Sequence, residues 1–342
     1  MSLHQITLVF EDGVAAVVTA NEIESVYQAA LRQNVQIQTD CREGACATCI
    51  GHCTSGRYEL MEFTDEALPP EEQAKGAVLT CRMQAKSDCV VTLPYPAAAI
   101  RMAAQKPVAV RVAGVETVAE NVRRLVVTQI EGQPLRFLPG QYVNIAIPGS
   151  GFTRSYSFAN APGGRDYEFF VRKLPAGLMS DWIDQPAVIG AETMLSAPLG
   201  QFFLRKADRP LVMVAGGTGL APMLSMLSHL ATAEAKPPRI TLLYGVNRAG
   251  EAFGAERLAA LAQTLPIEVR RAAIDVGAAW DERVGLVTDL LTPDLVAASA
   301  DVYLCGPPAM VTTARQWLDE NSQSGDRIFA ERFLAAADAK AA

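Results

Sequence analysis

The chain has 342 residues, half of them hydrophobic and 20% charged, with a formal net charge of −7. This length predicts two or three domains, and the composition is that of a globular protein. No apolar run approaches the roughly 20 residues that span a bilayer, and the N-terminus lacks the pattern of a signal peptide. The acidic balance, without a dense basic patch, excludes nucleic acid as an expected partner. Seven cysteines would leave one unpaired in a secreted protein, so the expected location is cytoplasmic.

Residues 1–96 are predicted to form the first domain. Alternating apolar segments at 5–10 and 14–20 predict two strands around a tight turn. A helix is predicted over 23–33 from the spacing of its apolar residues, with Asn21 as its N-cap. Two hairpin strands with a helix across them indicate a β-grasp fold.

A cysteine motif follows that helix. The four cysteines have the spacing C-x4-C-x2-C with a distant fourth member, which is the plant-type pattern for a [2Fe–2S] cluster. Small residues between them let backbone N–H groups approach the cluster sulfides, and Gly44 can adopt a backbone conformation that other residues avoid. The predicted metal ligands are Cys41, Cys46, Cys49 and Cys81.

Two further cysteines of this domain, Cys53 and Cys89, do not continue the pattern. Either is an alternative ligand, but a free cysteine is usually a small buried hydrophobic residue, and we favour that interpretation. A Rieske centre is excluded because it needs two histidines on one iron, and among the three histidines of the chain only His52 lies near the motif.

Residues 97–107 are interpreted as a linker because prolines surround a segment with little pattern.

From 108 to 205 the chain has short β-segments punctuated by Gly and Pro, which predict a small antiparallel barrel. Within it, a run of Arg, Ser, Tyr and Ser is followed by Val-Arg-Lys at the end of a later strand and by a Gly-x-x-Ser helix start. Free N–H groups at a helix start favour phosphate, arginines would add positive charge, and the tyrosine offers a flat face for stacking. The alternatives are surface arginines, a core tyrosine and a simple N-cap. The candidate cofactor-binding residues here are Arg154, Ser155, Tyr156, Ser157, Val171, Arg172, Lys173, Gly177, Met179 and Ser180.

Residues 206–342 alternate apolar strands with helical segments, which predicts an α/β domain with a parallel sheet covered on both faces. The first strand leads into a glycine-rich turn that would let a pyrophosphate approach the start of the following helix. A second motif, with the sequence Cys-Gly-Pro-Pro, ends a later strand. Ligands of open α/β sheets bind at such strand ends, although a buried cysteine at a strand end is the alternative. The candidates are Gly216, Gly217, Thr218, Gly219, Pro222, Cys305, Gly306, Pro307 and Met310.

The barrel and sheet motifs resemble the FAD and nicotinamide domains of the ferredoxin–NADP⁺ reductase family. The resemblance implies that Arg154 contacts the flavin pyrophosphate, as do Ser180 and the nearby N–H groups. It implies that Tyr156 packs on the flavin and that Ser157 lies near its reactive edge. It also places Cys305 beside the nicotinamide as a positioning residue and Phe333 over the flavin, with a core phenylalanine as the alternative.

The order of the domains, together with the phrases HQITLVFEDG, RSYSF and VYLCGPPAM, resembles the reductase components of benzoate, toluate and anthranilate 1,2-dioxygenases. One departure is Ala47, where that family usually has Gly. The resemblance implies an NADH:acceptor oxidoreductase that passes electrons from NADH through FAD and the [2Fe–2S] cluster to a terminal Rieske-type oxygenase. The alternatives are a reductase for a di-iron aromatic monooxygenase and a redox-sensing iron–sulfur flavoprotein.

The choice between NADH and NADPH depends on the segment after the second strand of the α/β domain. A 2′-phosphate requires basic groups, whereas a ribose diol accepts an acidic partner. Arg248 and Glu251 lie together there, and no second basic residue follows before Arg257. This arrangement favours NADH.

Overall fold

The computed structural model describes residues 2–99, 105–185, 188–235, 238–277, 280–322 and 327–334. Contacts divide the chain into two units: unit 1 is Met1–Lys106 with Ala197–Gln201, and unit 2 is Pro107–Ser196 with Phe202–Ala342. None of the described helices is long and apolar enough to cross a membrane. Residues 100–104 of the predicted linker and residues 335–342 of the tail after Phe333 lie outside the described residues. The domain boundaries drawn from the sequence stay predictions.

Unit 1 is built on a five-stranded sheet in the order β2-β1-β7-β3-β5, with a small β4-β6 pair beside it. The strands are β1 (Leu3–Phe10), β2 (Ala15–Asn21), β3 (Ile50–Ser55), β4 (Tyr58–Leu60), β5 (Ala77–Leu79), β6 (Met83–Ala85) and β7 (Cys89–Leu93), and the helices are α1 (Val26–Arg32) and α2 (Pro70–Ala74). The β1–β2 pair is an antiparallel hairpin, while β1 and β7 are parallel. The hairpin and the helix that follows it are the predicted β-grasp arrangement.

The predicted N-cap of the first helix is wrong. Helix α1 begins at Val26, and its N-cap is Ser25, whose Oγ accepts a hydrogen bond from the Gln28 N–H at 3.2 Å. The Gln28 side chain accepts in return from the Ser25 N–H at 2.9 Å, which completes a capping box. Asn21 instead accepts from the N–H groups of Ile23 and Glu24, so it closes the turn before the helix.

The first half of unit 2, which we call the flavin half after the cofactor that the sequence predicts for it, is an antiparallel sheet in the order β11-β10-β13-β8-β9-β12. Its strands are β8 (Val108–Ala119), β9 (Val122–Gln129), β10 (Tyr142–Ile147), β11 (Phe152–Ser157), β12 (Asp166–Arg172) and β13 (Glu192–Leu195), with helix α3 (Leu178–Ile183) after β12. The outer strands β11 and β12 also contact each other, which closes the sheet as a barrel. Its interior is filled by aliphatic and aromatic side chains, including Phe137 stacked on Phe158.

The second half of unit 2, which we call the nucleotide half after the ligand that the sequence predicts for it, is a six-stranded parallel sheet in the order β17-β16-β15-β14-β18-β19. Its strands are β14 (Leu211–Gly216), β15 (Ile240–Arg248), β16 (Ile267–Asp275), β17 (Arg283–Val284), β18 (Asp301–Gly306) and β19 (Arg327–Arg332), and its helices are α4 (Leu220–Thr232), α5 (Ala255–Leu261) and α6 (Pro308–Asn321). Every residue of the neighbouring strands β14 and β18 is buried, as expected for strands covered on both faces. Because the strands are parallel, their carboxyl ends meet at one edge of the sheet.

Candidate functional site

The four cysteines of the motif lie as two close pairs. The Sγ atoms of Cys49 and Cys81 are 3.1 Å apart, and Cys41 and Cys46 interact through their side chains. Among the described residues, no three or more His, Cys, Asp or Glu side chains form a site for a single metal ion. Two pairs of thiols suit a two-iron cluster, in which each iron takes two protein ligands.

The motif loop surrounds Cys41 with hydrogen-bond donors. The N–H groups of Glu43 and Ala45 both point at its Sγ from 3.4 Å. The side-chain hydrogen bond with Cys46, supported by these backbone bonds, lowers the pKa of Cys41 to about 5. Gly44 has φ +75°, and a Cβ there would come within 2.7 Å of the Phe63 Cβ. The loop therefore fits an anionic iron–sulfur cluster, because its donors are aimed at sulfur.

Hydrogen bonds also fix the backbone on both sides of Cys49. The Gln201 Nε2 donates to the carbonyl oxygen of Thr48 at 2.7 Å and to that of Ile50 at 3.1 Å. The N–H and the hydroxyl of Thr80 both donate to the carbonyl oxygen of Cys49 at 3.0 Å. The sequence pattern did not identify Gln201, which lies far from the motif along the chain.

Cys53 and Cys89 lie on β3 and β7, outside the motif loop. Their thiols donate to nearby backbone carbonyls, Cys53 to Ser55 at 3.3 Å and Cys89 to Ser87 at 3.3 Å. Burial raises the pKa of Cys53, and it raises the pKa of Cys89 to about 11. Both thus have the character of protonated structural thiols.

The first candidate segment of the flavin half is strand β11. The Arg154 Nη1 donates to the carbonyl oxygen of Thr153 at 2.8 Å, and the Ser155 hydroxyl donates to the Asn144 Oδ1 at 2.6 Å. Tyr156 is partly buried, and desolvation raises its pKa. Ser157 at the end of the strand is buried.

The second candidate segment ends strand β12. Val171 is buried in the barrel and Arg172 is exposed. Lys173 forms an ion pair with Asp184, and its hydrogen bond lowers the pKa of that carboxyl. The exposed guanidinium of Arg172 is therefore better placed than the paired ammonium of Lys173 to meet an anionic ligand.

Gly177 occupies the N-cap position of helix α3, and Met179 and Ser180 in its first turn are buried. The Ser180 Oγ accepts a hydrogen bond from the Leu174 N–H at 2.9 Å. The hydroxyl serves as an acceptor in that bond, so its hydrogen can still be donated to another group.

The two glycine-containing motifs of the nucleotide half pack against each other at the carboxyl edge of the sheet. A Cβ on Gly216 would lie 2.7 Å from the Met310 Sδ and 2.9 Å from the Pro307 Cδ. A Cβ on Gly219 would overlap the carbonyl oxygen of Cys305. Both positions thus require glycine, because a side chain would push the two strand ends apart.

The remaining motif residues lie around this contact. Gly217 has φ +54° and begins a 3₁₀ turn that includes Thr218, directly before helix α4. Pro222 lies in the first turn of α4, where its missing N–H removes no helical hydrogen bond. Gly306 follows Cys305 at the end of β18. The turn therefore presents backbone N–H groups at a helix start, which is a general site for a phosphate.

A carboxyl group that the sequence pattern missed lies between the flavin strand and this edge. The Ser157 hydroxyl donates to the Glu331 Oε2 at 3.5 Å, and the β18–β19 register places Cys305 opposite Glu331. Glu331 keeps some exposed surface, but burial of its carboxyl raises its pKa to about 8. Burial, with Glu331 as a second cause, raises the pKa of the Cys305 thiol well above its usual value. The sequence signal was a single acidic residue in the final strand, whose two other charged residues are the arginines at its ends.

Phe333 lies at the same edge of the sheet. Its N–H donates to the carbonyl oxygen of Gly306 at 2.9 Å, and its partly buried ring packs on the core of the nucleotide half. The predicted residues Ser157, Cys305 and Phe333 therefore meet in one region of unit 2. Their roles toward the cofactors stay predictions.

Comparison with known proteins identifies three domain families along the chain. Residues 9–86 match the family described as a 2Fe-2S iron-sulfur cluster binding domain. Residues 109–204 match the oxidoreductase FAD-binding domain, and residues 213–316 match the oxidoreductase NAD-binding domain. These matches confirm the predicted [2Fe–2S], FAD and NAD cofactors and the predicted fold classes.

Relatives of similar length share the whole arrangement. The chain is 37% identical to the toluate 1,2-dioxygenase electron transfer component of Pseudomonas putida, over 98% of this chain and 99% of the relative. It is 35% identical to the anthranilate 1,2-dioxygenase electron transfer component of Acinetobacter baylyi, over 98% and 99%. The chain belongs to the family of dioxygenase electron-transfer components. The predicted function as an electron-transfer oxidoreductase is thereby confirmed. The chain is also 36% identical to methane monooxygenase component C of Methylosinus trichosporium, over 86% of this chain and 87% of that protein.

Solved structures show the same architecture. The Amycolatopsis cytochrome P450 reductase GcoB aligns with a TM-score of 0.69 and 27% identity, over 97% of this chain and all of that chain. The ferredoxin reductase in carbazole 1,9a-dioxygenase aligns with a TM-score of 0.64 over 98% of this chain and all of that chain. Its identity is 22%, so this second likeness concerns the fold alone.

The raised pKa of Glu331 predicts a pH-dependent stability. Its pKa of about 8 in the folded chain exceeds the ordinary value of 4.5 for this side chain, so the folded state binds an extra proton between these two values. Stability from this group is present below pH 4.5, falls as pH rises, and is lost above pH 8. We expect Glu331→Gln to flatten this decline, measured as the thermal unfolding midpoint across that pH range. Glu320→Gln, an exposed change at the end of α6, is the control, and an unchanged slope in Glu331→Gln would contradict the assignment.

Proposed function

We propose that this electron-transfer component takes electrons from NADH and delivers them to a terminal Rieske-type oxygenase that acts on an aromatic acid. The observation that carries the proposal is full-length similarity to proteins named for toluate, 2-halobenzoate and anthranilate 1,2-dioxygenases. Bound FAD would accept electrons as a pair and release them singly to the cluster, which carries one. Unit 2 holds the predicted flavin and nicotinamide residues, and unit 1 holds the predicted cluster ligands.

The residues at the sheet edge would orient the two redox partners. The turn from Gly217 to Gly219 offers N–H groups for the NADH pyrophosphate. Cys305 is buried and protonated, so it would act as a packing surface beside the nicotinamide. The Ser157 hydroxyl and the Glu331 carboxyl would hold a proton between Oγ and Oε2 close to the reacting atoms. Phe333 would cover the flavin.

We propose Cys41, Cys46, Cys49 and Cys81 as the cluster ligands, and the prediction can be tested one residue at a time. Cys81→Ser should lose the visible absorbance of the cluster, because Cys49 loses its partner, while flavin content and NADH-dependent dye reduction persist. Cys53→Ser and Cys89→Ser are the matched controls, which should retain the cluster. Intact cluster absorbance in Cys81→Ser would refute this ligand set.

We also propose a preference for NADH over NADPH, supported by how Arg248 is paired. Its guanidinium lies 3.1 Å from the Glu251 carboxylate and 3.4 Å from that of Glu120. Asn121 also donates to Glu251 at 3.0 Å, which fixes that carboxylate. A guanidinium bound by two carboxylates is poorly available to a 2′-phosphate, and the two acids would repel that phosphate.

Removing both acids should improve the use of NADPH. We expect the double variant Glu120→Gln/Glu251→Gln to raise kcat/KM for NADPH by about tenfold relative to NADH, the size of one charge-assisted hydrogen bond. Steady-state dye reduction with each nucleotide measures the ratio. Glu268→Gln is the control. Glu268 lies near the start of β16 and pairs with Arg239, so this change also removes a negative charge but leaves Arg248 untouched. An unchanged ratio would show that Arg248 does not face the nucleotide.

Product formation with candidate oxygenases tests the proposed partner. Purified protein, NADH and O₂ would be combined with a benzoate-type oxygenase and separately with an anthranilate-type oxygenase. We expect one of them to form product in step with NADH consumption.

A second candidate function, as reductase of a di-iron monooxygenase, is favoured by the similarity to methane monooxygenase component C. If both dioxygenases fail while dye reduction is normal, that candidate takes precedence.

We further propose a cytoplasmic location. None of the seven cysteines forms a disulfide. Reduced thiols and an iron–sulfur cluster are typical of a reducing compartment.

The negative net charge also gives no reason to expect a nucleic-acid partner.

A further inference from the structure

The guanidinium of Arg257 links the two halves of unit 2. Arg257 lies on α5 of the nucleotide half, and its Nη1 donates to the Glu168 Oε2 on β12 of the flavin half at 2.8 Å. Its Nη2 donates to the carbonyl oxygen of Ala159 at 2.7 Å and to the Ser228 hydroxyl on α4 at 3.0 Å. One side chain thus binds three parts of the structure at once.

The chain segment held in this way leads directly from the flavin strand. Ala159 is two residues beyond Ser157, which ends β11. The next residue, Asn160, accepts a hydrogen bond at its carbonyl oxygen from the Ser225 hydroxyl on α4 at 2.7 Å. The Asn160 side chain in turn accepts from the Glu168 N–H at 2.9 Å. Two consecutive carbonyls after the flavin strand are therefore attached to helices of the nucleotide half.

Two arginines share the Glu168 carboxylate, which fixes the geometry of its contact with Arg257. The Glu168 side chain is only 11% exposed and is shared between Arg257 and Arg124, whose Nε donates to its other oxygen at 2.6 Å. Arg124 belongs to β9, so its bond stays within the flavin half. A planar guanidinium can bind a carboxylate and a carbonyl in fixed directions, which a lysine ammonium cannot reproduce.

We propose that Arg257 is a positioning residue that sets the nucleotide half against the flavin strand for hydride transfer. This inference rests on the proposed function, in which the flavin half binds FAD and the nucleotide half binds NADH. Transfer requires the reacting atoms to be about 3–3.5 Å apart, and a misplacement of 1 Å can cost on the order of a hundredfold in rate. Neither the family motifs nor the predicted cofactor residues include Arg257.

The test compares Arg257→Lys with Arg124→Lys in the full-length, flavin-loaded protein. Both changes keep the charge and both remove a guanidinium from Glu168, but only the first breaks the link between the halves. Anaerobic stopped-flow mixing with NADH would give the rate of flavin reduction and any long-wavelength absorbance from stacked nicotinamide and flavin. We expect Arg257→Lys to slow flavin reduction by at least about tenfold, to weaken that absorbance and to leave saturation by NADH nearly unchanged. Arg124→Lys should change the rate of flavin reduction by no more than about twofold, because it leaves the contacts between the two halves intact and substitutions of partly exposed residues usually have small effects.

A purely structural role for Arg257 predicts a different result. Loss of flavin or a lower unfolding temperature with an unchanged reduction rate per bound flavin would overturn the proposal, and so would equal slowing in both variants. If Arg257→Lys does not fold, Ser225→Ala removes one bond of the same link and should slow flavin reduction in the same direction, and an unchanged rate would overturn the proposal. Failure of NADH to reduce the flavin of the unmodified protein would instead refute the proposed function.

Discussion

The close approach of two strand ends in the parallel sheet is the constraint on which the nucleotide site depends. Gly216 and Gly219 have no side chain where the turn of β14 meets the Cys-Gly-Pro-Pro turn of β18. This contact leaves backbone N–H groups at the start of α4 and places the buried Cys305 beside Glu331 on the next strand. Because Glu331 reaches Ser157 on β11, the same edge also meets the flavin strand. A two-electron donor and its acceptor therefore have their predicted residues in one region.

Unit 1 holds the iron–sulfur cluster, which carries one electron at a time. Its motif loop supplies three thiols, and the segment after β5 supplies the fourth. The loop also directs backbone donors at sulfur, and such donors stabilise negative charge on an iron–sulfur centre. The carbonyls around Cys49 are bound by Gln201 and Thr80, so the loop backbone is supported beyond the motif itself. Supporting hydrogen bonds of this kind orient metal ligands and tune their properties.

Local patterns in the sequence predicted most of the fold and the motifs of both sites. The cysteine spacing, the glycine-rich turn and the Cys-Gly-Pro-Pro turn each lie within a few residues, so their chemistry is visible from the sequence. Glu331, Gln201 and Arg257 were missed because their partners lie far away along the chain. The error at Asn21 has another origin: two polar residues compete to start α1, and the capping box of Ser25 with Gln28 prevails. Ala47 has φ +59°, a backbone conformation that glycine adopts at less cost than alanine.

Electrons from NADH are expected to reach the cluster only through the flavin. Anaerobic mixing with NADH, followed by flavin absorbance and by electron paramagnetic resonance of rapidly frozen samples, tests it directly. We expect the reduced-cluster signal to rise after the flavin is reduced, and flavin-depleted protein with an intact cluster to give no such signal. Reduction of the cluster by NADH without flavin, or flavin reduction that never produces the cluster signal, would contradict it.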